Sequence, residues 1–441
     1  MTLSKMVGDN VLRVGIAGLG TVGVGLLKLL SGPEPIGEGR LKVIAVSARN
    51  RSRKRDVDIA QFPWFDDPSE IAANPDVDVF VELMGGSDGP AKHAVELALK
   101  RGAKVVTANK ALVAEHGAEL AKLTEKYGGA LLFEAAVGGG VPVVKAVRES
   151  FAGAKVLAIS GILNGTCNYL LTEMEASGRS FADVLADAQR LGYAEADPHM
   201  DVSGTDAAHK IAILAGIAFG FAPDFKTVHI EGVTEVTLLD IRLAGKLGYR
   251  IKLLAKAERE GDAVRVHVHP ALVAFDHPLA GVGGSLNAVV IDAEPMGRLT
   301  FTGRGAGEGP TAAAVAADLL DLLGGRAPAM FGRPVAAFRP LSAAPRAVSG
   351  RYYLRLLVKD RAGVIAAVAE KLAKHAVSIE SFLQDAQHDT SDVPIVLTTQ
   401  VCPRLALDAA VAEIASLDAN TAAPFVVPIE DGPTRQPWRP S

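Results

Sequence analysis

Residues 11–30 read VLRVGIAGLGTVGVGLLKLL, and this stretch decides the fold. The apolar run Val11 to Ala17 has the length and β-branched content of a buried strand. Gly18, Gly20 and Gly23 follow at G-x-G-x-x-G spacing, and Val22, Leu26, Leu27 and Leu30 then recur at helical intervals. Each glycine has a physical task in such a turn. Gly18 allows the tight turn, Gly20 lets an anion approach the backbone, and Gly23 lets helix and strand pack closely. The spacing alone also suits a plain structural turn. Its place between a strand and a helix points instead to a dinucleotide phosphate on the free N–H groups of the helix start, with Leu19, Thr21 and Val22 completing the cradle.

Outward from there, strand and helix patterns alternate. LKVIAVSAR (41–49) is a second strand, DVFVELMGG (78–86) a third ending in Gly85 and Gly86, and AKVVTANK (103–110) a fourth carrying Thr107, Asn109 and Lys110. Helical patterns lie between them, and ALLFEAAVGGGVPVV (130–144) reads as a further strand. This alternation predicts a parallel α/β sheet of the Rossmann type, whose ligands sit beyond the C-terminal strand ends. Gly85, Gly86, Asn109, Lys110 and Glu134 fall on that edge. An NAD site often has an acidic residue at the end of the second strand. Here Arg49 stands there, ahead of the basic loop NRSRKR. A 2′-phosphate would suit Arg49, so NADP(H) is favoured and NAD(H) is possible; a solvated basic loop is the competing reading.

The most crowded stretch is LGYAEADPHMDVSGTDAAHKIAIL (191–214), where charge adjoins an apolar run. GTDAAHKIAILAGIAFG reads as a deeply buried helix. Asp206 and Lys210 are four residues apart and share one face. Burial of charge there is costly unless it is paired or faces a wet cleft. The pair is either structural or poises a lysine to exchange a proton with an alcohol or carbonyl oxygen. Glu195, in the loop ahead, suits a cationic amine. Asp201 reads as a turn or helix cap. His199 and His209 lack zinc-ligand spacing, and Cys167 reads as a buried thiol.

The bulk numbers narrow the class. The chain has 441 residues, 49% of them hydrophobic, enough for two or three domains. Its formal charge of −4 lacks the basic field of a nucleic-acid binder. Cys167 and Cys402 make no disulfide framework. No secretory signal or membrane-length apolar run is present, so a soluble cytoplasmic protein without nucleic-acid or membrane partners is expected.

AQRLGYAEADPHMDVSGTDAAHK (188–210) resembles the signature of the homoserine dehydrogenase family, on Ala188, Gly192, Asp197, Pro198, Asp201, Gly204, Asp206 and Lys210. GLGTVG, TANK, EAAVGGGVP, GILNGTCNY and GRGAGEGPTA resemble that family too, in its order, over about 11–340. The resemblance implies reversible, nicotinamide-dependent interconversion of aspartate 4-semialdehyde and homoserine, for threonine and methionine synthesis. It implies that Glu195 holds the substrate amino group, that Asp206 and Asp201 orient substrate or its network, that Lys210 is the leading proton donor, and that Lys110 is a second lysine near the substrate. Which lysine passes the proton stays open. It further implies a monovalent cation such as Na+ or K+ at Glu134, Val137, Gly139 and Val141. Glu308 departs from the family, which more often has glycine there; placed with Gly305 in the cofactor turn, it is expected to point outward. Other readings are an oxidoreductase for another small amino alcohol and a non-catalytic nucleotide or amino-acid sensor.

After RPLSAAPRAVSG (339–350), a linker by composition, the order β-α-β-β-α-β predicts a ferredoxin-like unit. It resembles an ACT domain, with Asp360, Gly363 and Val364 in the first turn. That implies pairing into a homodimer or homotetramer and an amino-acid effector such as threonine, or oligomerisation alone. The first strand starts near residue 11, so a form without a fused N-terminal kinase is expected. The predicted organisation is a nucleotide domain (1–140), an inserted α+β substrate and dimerisation domain (141–302), a return segment (303–340) whose glycine turn either closes over the cofactor or merely crosses, a linker (341–350), the ACT-like domain (351–431) and a flexible tail (432–441).

Overall fold

The computed structural model describes residues 11–261, 263–339, 349–384 and 392–430. The front of the chain alternates as β1 (Leu12–Ala17), α1 (Thr21–Ser31), β2 (Leu41–Ser47), β3 (Trp64–Phe65), α2 (Pro68–Ala73), β4 (Val79–Glu82), α3 (Pro90–Lys100), β5 (Lys104–Thr107), α4 (Lys110–Tyr127) and β6 (Ala130–Leu132). These strands form one parallel sheet in the order β3-β2-β1-β4-β5-β6. The order reverses at β1, so a crevice opens beyond its C-terminal end, where the glycine turn lies.

The second part runs α5 (Val143–Lys145), β7 (Lys155–Ile162), α6 (Gly165–Ser177), α7 (Phe181–Arg190), α8 (His199–Val202), α9 (Thr205–Phe219), β8 (His229–Ile230), α10 (Leu238–Lys246), β9 (Tyr249–Glu260), β10 (Ala263–Ala274), β11 (Leu286–Glu294) and β12 (Gly297–Arg304). Then α11 (Glu308–Leu323) returns to the first sheet. Its Ala312, Val315, Leu319 and Leu322 share a core with Leu26, Leu27 and Leu30 of α1. The last part is β13 (Ser349–Lys359), α12 (Val364–Lys374), β14 (Ile379–Gln384), β15 (Asp392–Thr399), β16 (Cys402–Pro403), α13 (Arg404–Ala415) and β17 (Phe425–Glu430). Its main strands pair as β17-β13-β15-β14, the ferredoxin-like order. No helix among the described residues is long and apolar enough to cross a membrane.

Several expectations need correction. The strand expected through 130–144 stops at Leu132, because the chain turns into a short 3-10 helix at Glu134–Ala136, and Gly138 and Gly139 then take positive φ values of 75° and 51° that keep it from extending again. The β-branched stretch TVHIEGVTEV (227–236) has the composition of a strand, but only His229–Ile230 is strand. The chain then enters α10, whose capping box joins Thr237 and Asp240, a start signal the strand reading overlooked. The glycine turn expected at the head of the return segment begins after Gly303, which belongs to β12 and pairs with Asn287. The linker reading of 341–350 lies mostly outside the described residues, but Ser349 and Gly350 are strand and pair with Pro403 and Cys402. The tail reading of 432–441 lies outside the described residues altogether.

The ferredoxin-like sheet joins the sheet of the second part directly. β17 pairs in parallel with β10 through Leu272 to Ile429 and Val273 to Glu430, joining the two sheets into one of eleven strands. Side chains reinforce the join. Tyr353 Oη donates to Asp240 Oδ1 at 2.9 Å, Arg355 lies 3.1 Å from Asp240 Oδ2, and Lys256 Nζ lies 2.8 Å from Glu430. Asp240 is fully buried, so removing it strands a buried hydroxyl and a guanidinium. Asp240→Ala is expected to lower stability by roughly 3 kcal/mol in a thermal or denaturant melt. Asp240→Asn, which keeps one acceptor, should lose clearly less; equal stability of all three proteins would show that the junction carries no load.

Candidate active site

The glycine turn has the shape its sequence predicts. Gly18 sits at φ 104°, and a Cβ there would lie 2.4 Å from the Leu83 carbonyl oxygen. A Cβ on Gly23 would lie 2.1 Å from the Gly18 oxygen, so helix and turn touch backbone to backbone. Nothing lies within 4 Å of a Cβ built on Gly20, which leaves an open approach to the start of α1. α1 has no side-chain cap, so its first amides are free for an anion. A dinucleotide pyrophosphate fits this cradle. Arg55 Nε donates to the Leu19 carbonyl oxygen at 3.1 Å, holding the basic loop against the turn, and Arg51 and Arg55 lie 5.6 and 5.9 Å from the Trp64 ring centre. Arg49 is exposed beside them.

The next strand ends carry Gly85 and Gly86 at φ 81° and 85°. Asn109 caps α4 by accepting from the Leu112 amide at 3.1 Å, and its Nδ2 donates to the Gly86 oxygen at 2.7 Å. Thr107, expected to touch cofactor, has a fully buried side chain whose hydroxyl donates to Glu82 Oε2 at 2.6 Å. Glu82 escaped the sequence reading because an acid closing an apolar strand looks like a surface edge.

The crowded charges of 191–214 converge from separate elements. Asp206, on α9, receives Lys210 Nζ on Oδ2 at 2.7 Å and Lys110 Nζ on Oδ1 at 2.6 Å. Lys210 Nζ also donates to the Leu163 carbonyl oxygen at 2.7 Å, and Asn164 Nδ2 bridges Asp201 Oδ1 and Asp206 Oδ2 at 2.7 and 2.9 Å. Burial pushes the Asp206 carboxyl up, but the two lysines outweigh it and hold the group well below the usual carboxylate range. Burial and the charge of Lys110 pull Lys210 below the ordinary lysine value against the opposing pull of Asp206. Asp206 raises Lys110, whose side chain is 39% exposed against 10% for Lys210. Burial raises Asp201, against its bond from Asn164. His209 points the other way, 3.2 Å from Glu115. Cys167 is buried and donates to the Asp201 oxygen at 3.2 Å.

A cavity of about 410 Å³ brings these parts together: Val22, Gly85, Asn109, Lys110, Lys210 and Gly305 all line it, as does exposed Glu195. A depression of about 490 Å³ lies at the opposite strand ends around the Arg13–Asp78 ion pair, and it gathers no comparable set of reactive groups. Asp201 is not among the lining residues and is linked to Asp206 through Asn164. Glu308 is not among the residues lining the cavity; it pairs with Lys28 at 2.7 Å and ties α11 to α1. Asn164 and Asn287 carry more of the architecture than expected: Asn287 Nδ2 donates to the Leu163 oxygen at 3.1 Å, beneath Gly305.

The cation loop is mixed in its fit. Gly139 lines the cavity, and the Val137 and Gly139 carbonyls accept no backbone hydrogen bond among the described residues. The Val141 carbonyl already accepts from the Val143 amide at 2.7 Å. Both Glu134 carboxylate oxygens accept amides of α5, from Val144 at 3.1 Å and Lys145 at 2.7 Å. Burial, then Asp318, pushes Glu134 up to about 7. Elsewhere Asp88, Glu115 and His116 bring ligand-type atoms within 4.8 Å of one another, but the Lys92 ammonium lies 3.1 Å from His116 Nδ1 and already supplies positive charge.

Comparison with known proteins agrees with this geometry. Residues 18–134 match the family model described as the homoserine dehydrogenase NAD binding domain, 142–320 that of homoserine dehydrogenase, and 352–419 that of the ACT domain. A homoserine dehydrogenase of Neisseria gonorrhoeae is 41% identical over 92% of this chain and 95% of its own length. The crystal structure of a homoserine dehydrogenase from Thiobacillus denitrificans superposes with a TM-score of 0.88 at 38% identity, over 95% of this chain and 98% of that one. A hyperthermophilic archaeal homoserine dehydrogenase mutant in complex with NADPH gives a TM-score of 0.61 at 26% identity, over 70% of this chain and 97% of that one. A nicotinamide-binding fold, two lysines on one buried carboxylate and relatives matched over almost their whole length lead to one conclusion: this chain belongs to the homoserine dehydrogenase family, as a form that carries an ACT domain.

Proposed function

We propose that this chain interconverts L-aspartate 4-semialdehyde and L-homoserine with Lys210 as proton donor and Lys110 as a fixed cation. The observation that carries this division of labour is that one carboxylate, Asp206, holds two lysines in unlike settings: Lys210 is bound also to the Leu163 carbonyl and is buried, which disfavours its charged form, whereas the Lys110 side chain is 39% exposed. A group poised to give up a proton needs a lowered affinity, and a group that holds an anion needs to stay charged. Nicotinamide bound beyond the strand ends supplies the hydride. Lys210 Nζ, buried at the cavity wall, donates its proton to the aldehyde oxygen as that oxygen gains charge. Asp206 and the Leu163 carbonyl keep the ammonium aimed. Lys110, nearer solvent, attracts the substrate carboxylate, and Glu195 accepts from the substrate ammonium. Asp201 acts through Asn164 on Asp206.

Lys210→Ala is expected to lower kcat for aldehyde reduction by about 10²-fold or more while NADPH binding persists. In the intact protein the reduction rate should fall as pH rises through the lowered pKa of Lys210, because the deprotonated amine has no proton to give; homoserine oxidation should change the opposite way. Loss of NADPH binding in the variant, or an unchanged rate, would contradict the role of Lys210.

NADP(H) is the preferred cofactor in this reading, supported by the exposed Arg49 at the end of β2 and by the basic loop pinned to the glycine turn. Arg49→Ala should raise KM for NADPH by about tenfold, one lost charge-assisted contact, and leave NADH nearly unchanged. Equal effects on both would remove the 2′-phosphate assignment.

A monovalent cation on the loop from Glu134 to Val141 is supported by the free carbonyls of Val137 and Gly139, which are hard oxygen donors. Threonine is the effector proposed for the ACT domain, whose sheet is continuous with that of the catalytic part, and the oligomer, a homodimer or homotetramer, would be built on the open sheet edges. The setting is cytoplasmic threonine and methionine synthesis. Rates measured in Na+, K+ and a bulky organic cation, each with and without threonine, should show dependence on the small cation and inhibition by threonine. Rates indifferent to both would reject these two parts and leave the dehydrogenase reading standing; sedimentation would test the assembly.

A further inference from the structure

We propose that Glu82 is a positioning residue that shapes the nicotinamide end of the cleft. This rests on the dinucleotide reading above. Glu82 is the last residue of β4 and is fully buried. Its Oε1 accepts from the Met84 and Gly85 amides at 2.6 and 3.1 Å, and its Oε2 accepts from the Thr107 hydroxyl at 2.6 Å. The Thr107 oxygen in turn accepts the Asn109 amide at 2.9 Å, and Asn109 closes the ring by donating to the Gly86 oxygen. One carboxylate therefore clamps the loop after β4 to the loop after β5.

Both loops face the reaction. Met84, Gly85, Asn109 and Lys110 all line the cavity, and Lys110 is the first residue of the helix that Asn109 caps. In the order β3-β2-β1-β4-β5-β6, β2 and its arginines lie on one side of the glycine turn and β4 and β5 on the other. The adenosine half belongs to the first side and the nicotinamide half to the second. Glu82 contacts no ligand; it sets where the backbone of Gly85 and the side chains of Asn109 and Lys110 stand. Without it, the Met84 and Gly85 amides lose their buried acceptor, and a loop with two glycines at positive φ keeps only the Asn109 contact to Gly86 to fix its shape.

The test uses the full-length protein with Glu82→Ala, Glu82→Gln and Thr107→Val. Calorimetric titration compares NADPH with 2′,5′-ADP, a fragment that lacks nicotinamide, and kcat and KM for aspartate 4-semialdehyde are measured alongside. Glu82→Ala should weaken NADPH about tenfold or more and lower kcat, yet leave 2′,5′-ADP within about twofold. Glu82→Gln, whose amide oxygen still accepts from both backbone amides, should recover most of the loss. Thr107→Val should shift NADPH the same way by less; it also decides the matter by the same two-ligand comparison if Glu82→Ala does not fold. Equal weakening of both ligands, or none, in a folded variant overturns the assignment. If wild-type protein bound no NADPH, the dinucleotide reading itself would fall and this one with it; wild-type binding with indifferent variants rejects Glu82 alone.

Discussion

One negative charge, on Asp206, sits inside a helix otherwise built for burial, and two ammonium groups from different parts of the chain close on it. Lys210 comes from one turn further along the same helix, and Lys110 comes from the start of α4 at the end of the nucleotide sheet. A buried carboxylate with no partner would be prohibitively costly, so the folded state requires these elements to meet. The ion triplet thereby sets the registry between the nucleotide-binding sheet and the second part of the chain. It also places Lys210 at the wall of the cavity where the two parts face each other.

The surroundings of that triplet are held by polar groups with little freedom. Leu163 lends its carbonyl oxygen to Lys210 and Asn287, and Asn164 straddles two carboxylates while capping α6. Glu82 does the same for the backbone of Met84 and Gly85, which lines the cavity. In each case a buried polar group with two or more partners fixes a loop that glycine alone would leave free. A site made this way is rigid where chemistry needs fixed distances and open only along the crevice.

At the far end, the ferredoxin-like unit joins the main sheet by a short parallel pairing and by Tyr353 and Arg355 on Asp240. Asp240 caps α10, and α10 packs against β9 and α6, the helix that Asn164 begins. Packed elements thus run from the ACT-type sheet to α6, whose cap Asn164 bonds Asp201 and Asp206.

Local chemistry was legible in the linear chain wherever partners are close in sequence. The glycine turn, the alternating strands, the four-residue step from Asp206 to Lys210 and the ferredoxin-like order all follow from periodicity and spacing, because backbone geometry repeats over a few residues. Distant meetings were not legible from spacing. Nothing in the residues around Lys110 says that its ammonium reaches Asp206, and the family resemblance supplied only that it stands near substrate. Glu82 binds amides, which carry no residue signature. Glu308 stood among cofactor residues by position, yet its carboxylate turns to Lys28. The merging of two sheets depends on edge strands that meet only after folding. Sequence determined which groups the chain carries and the local elements that present them; tertiary structure alone decided which groups share a dry pocket, and burial and charge proximity, the causes of their altered proton affinities, exist only there.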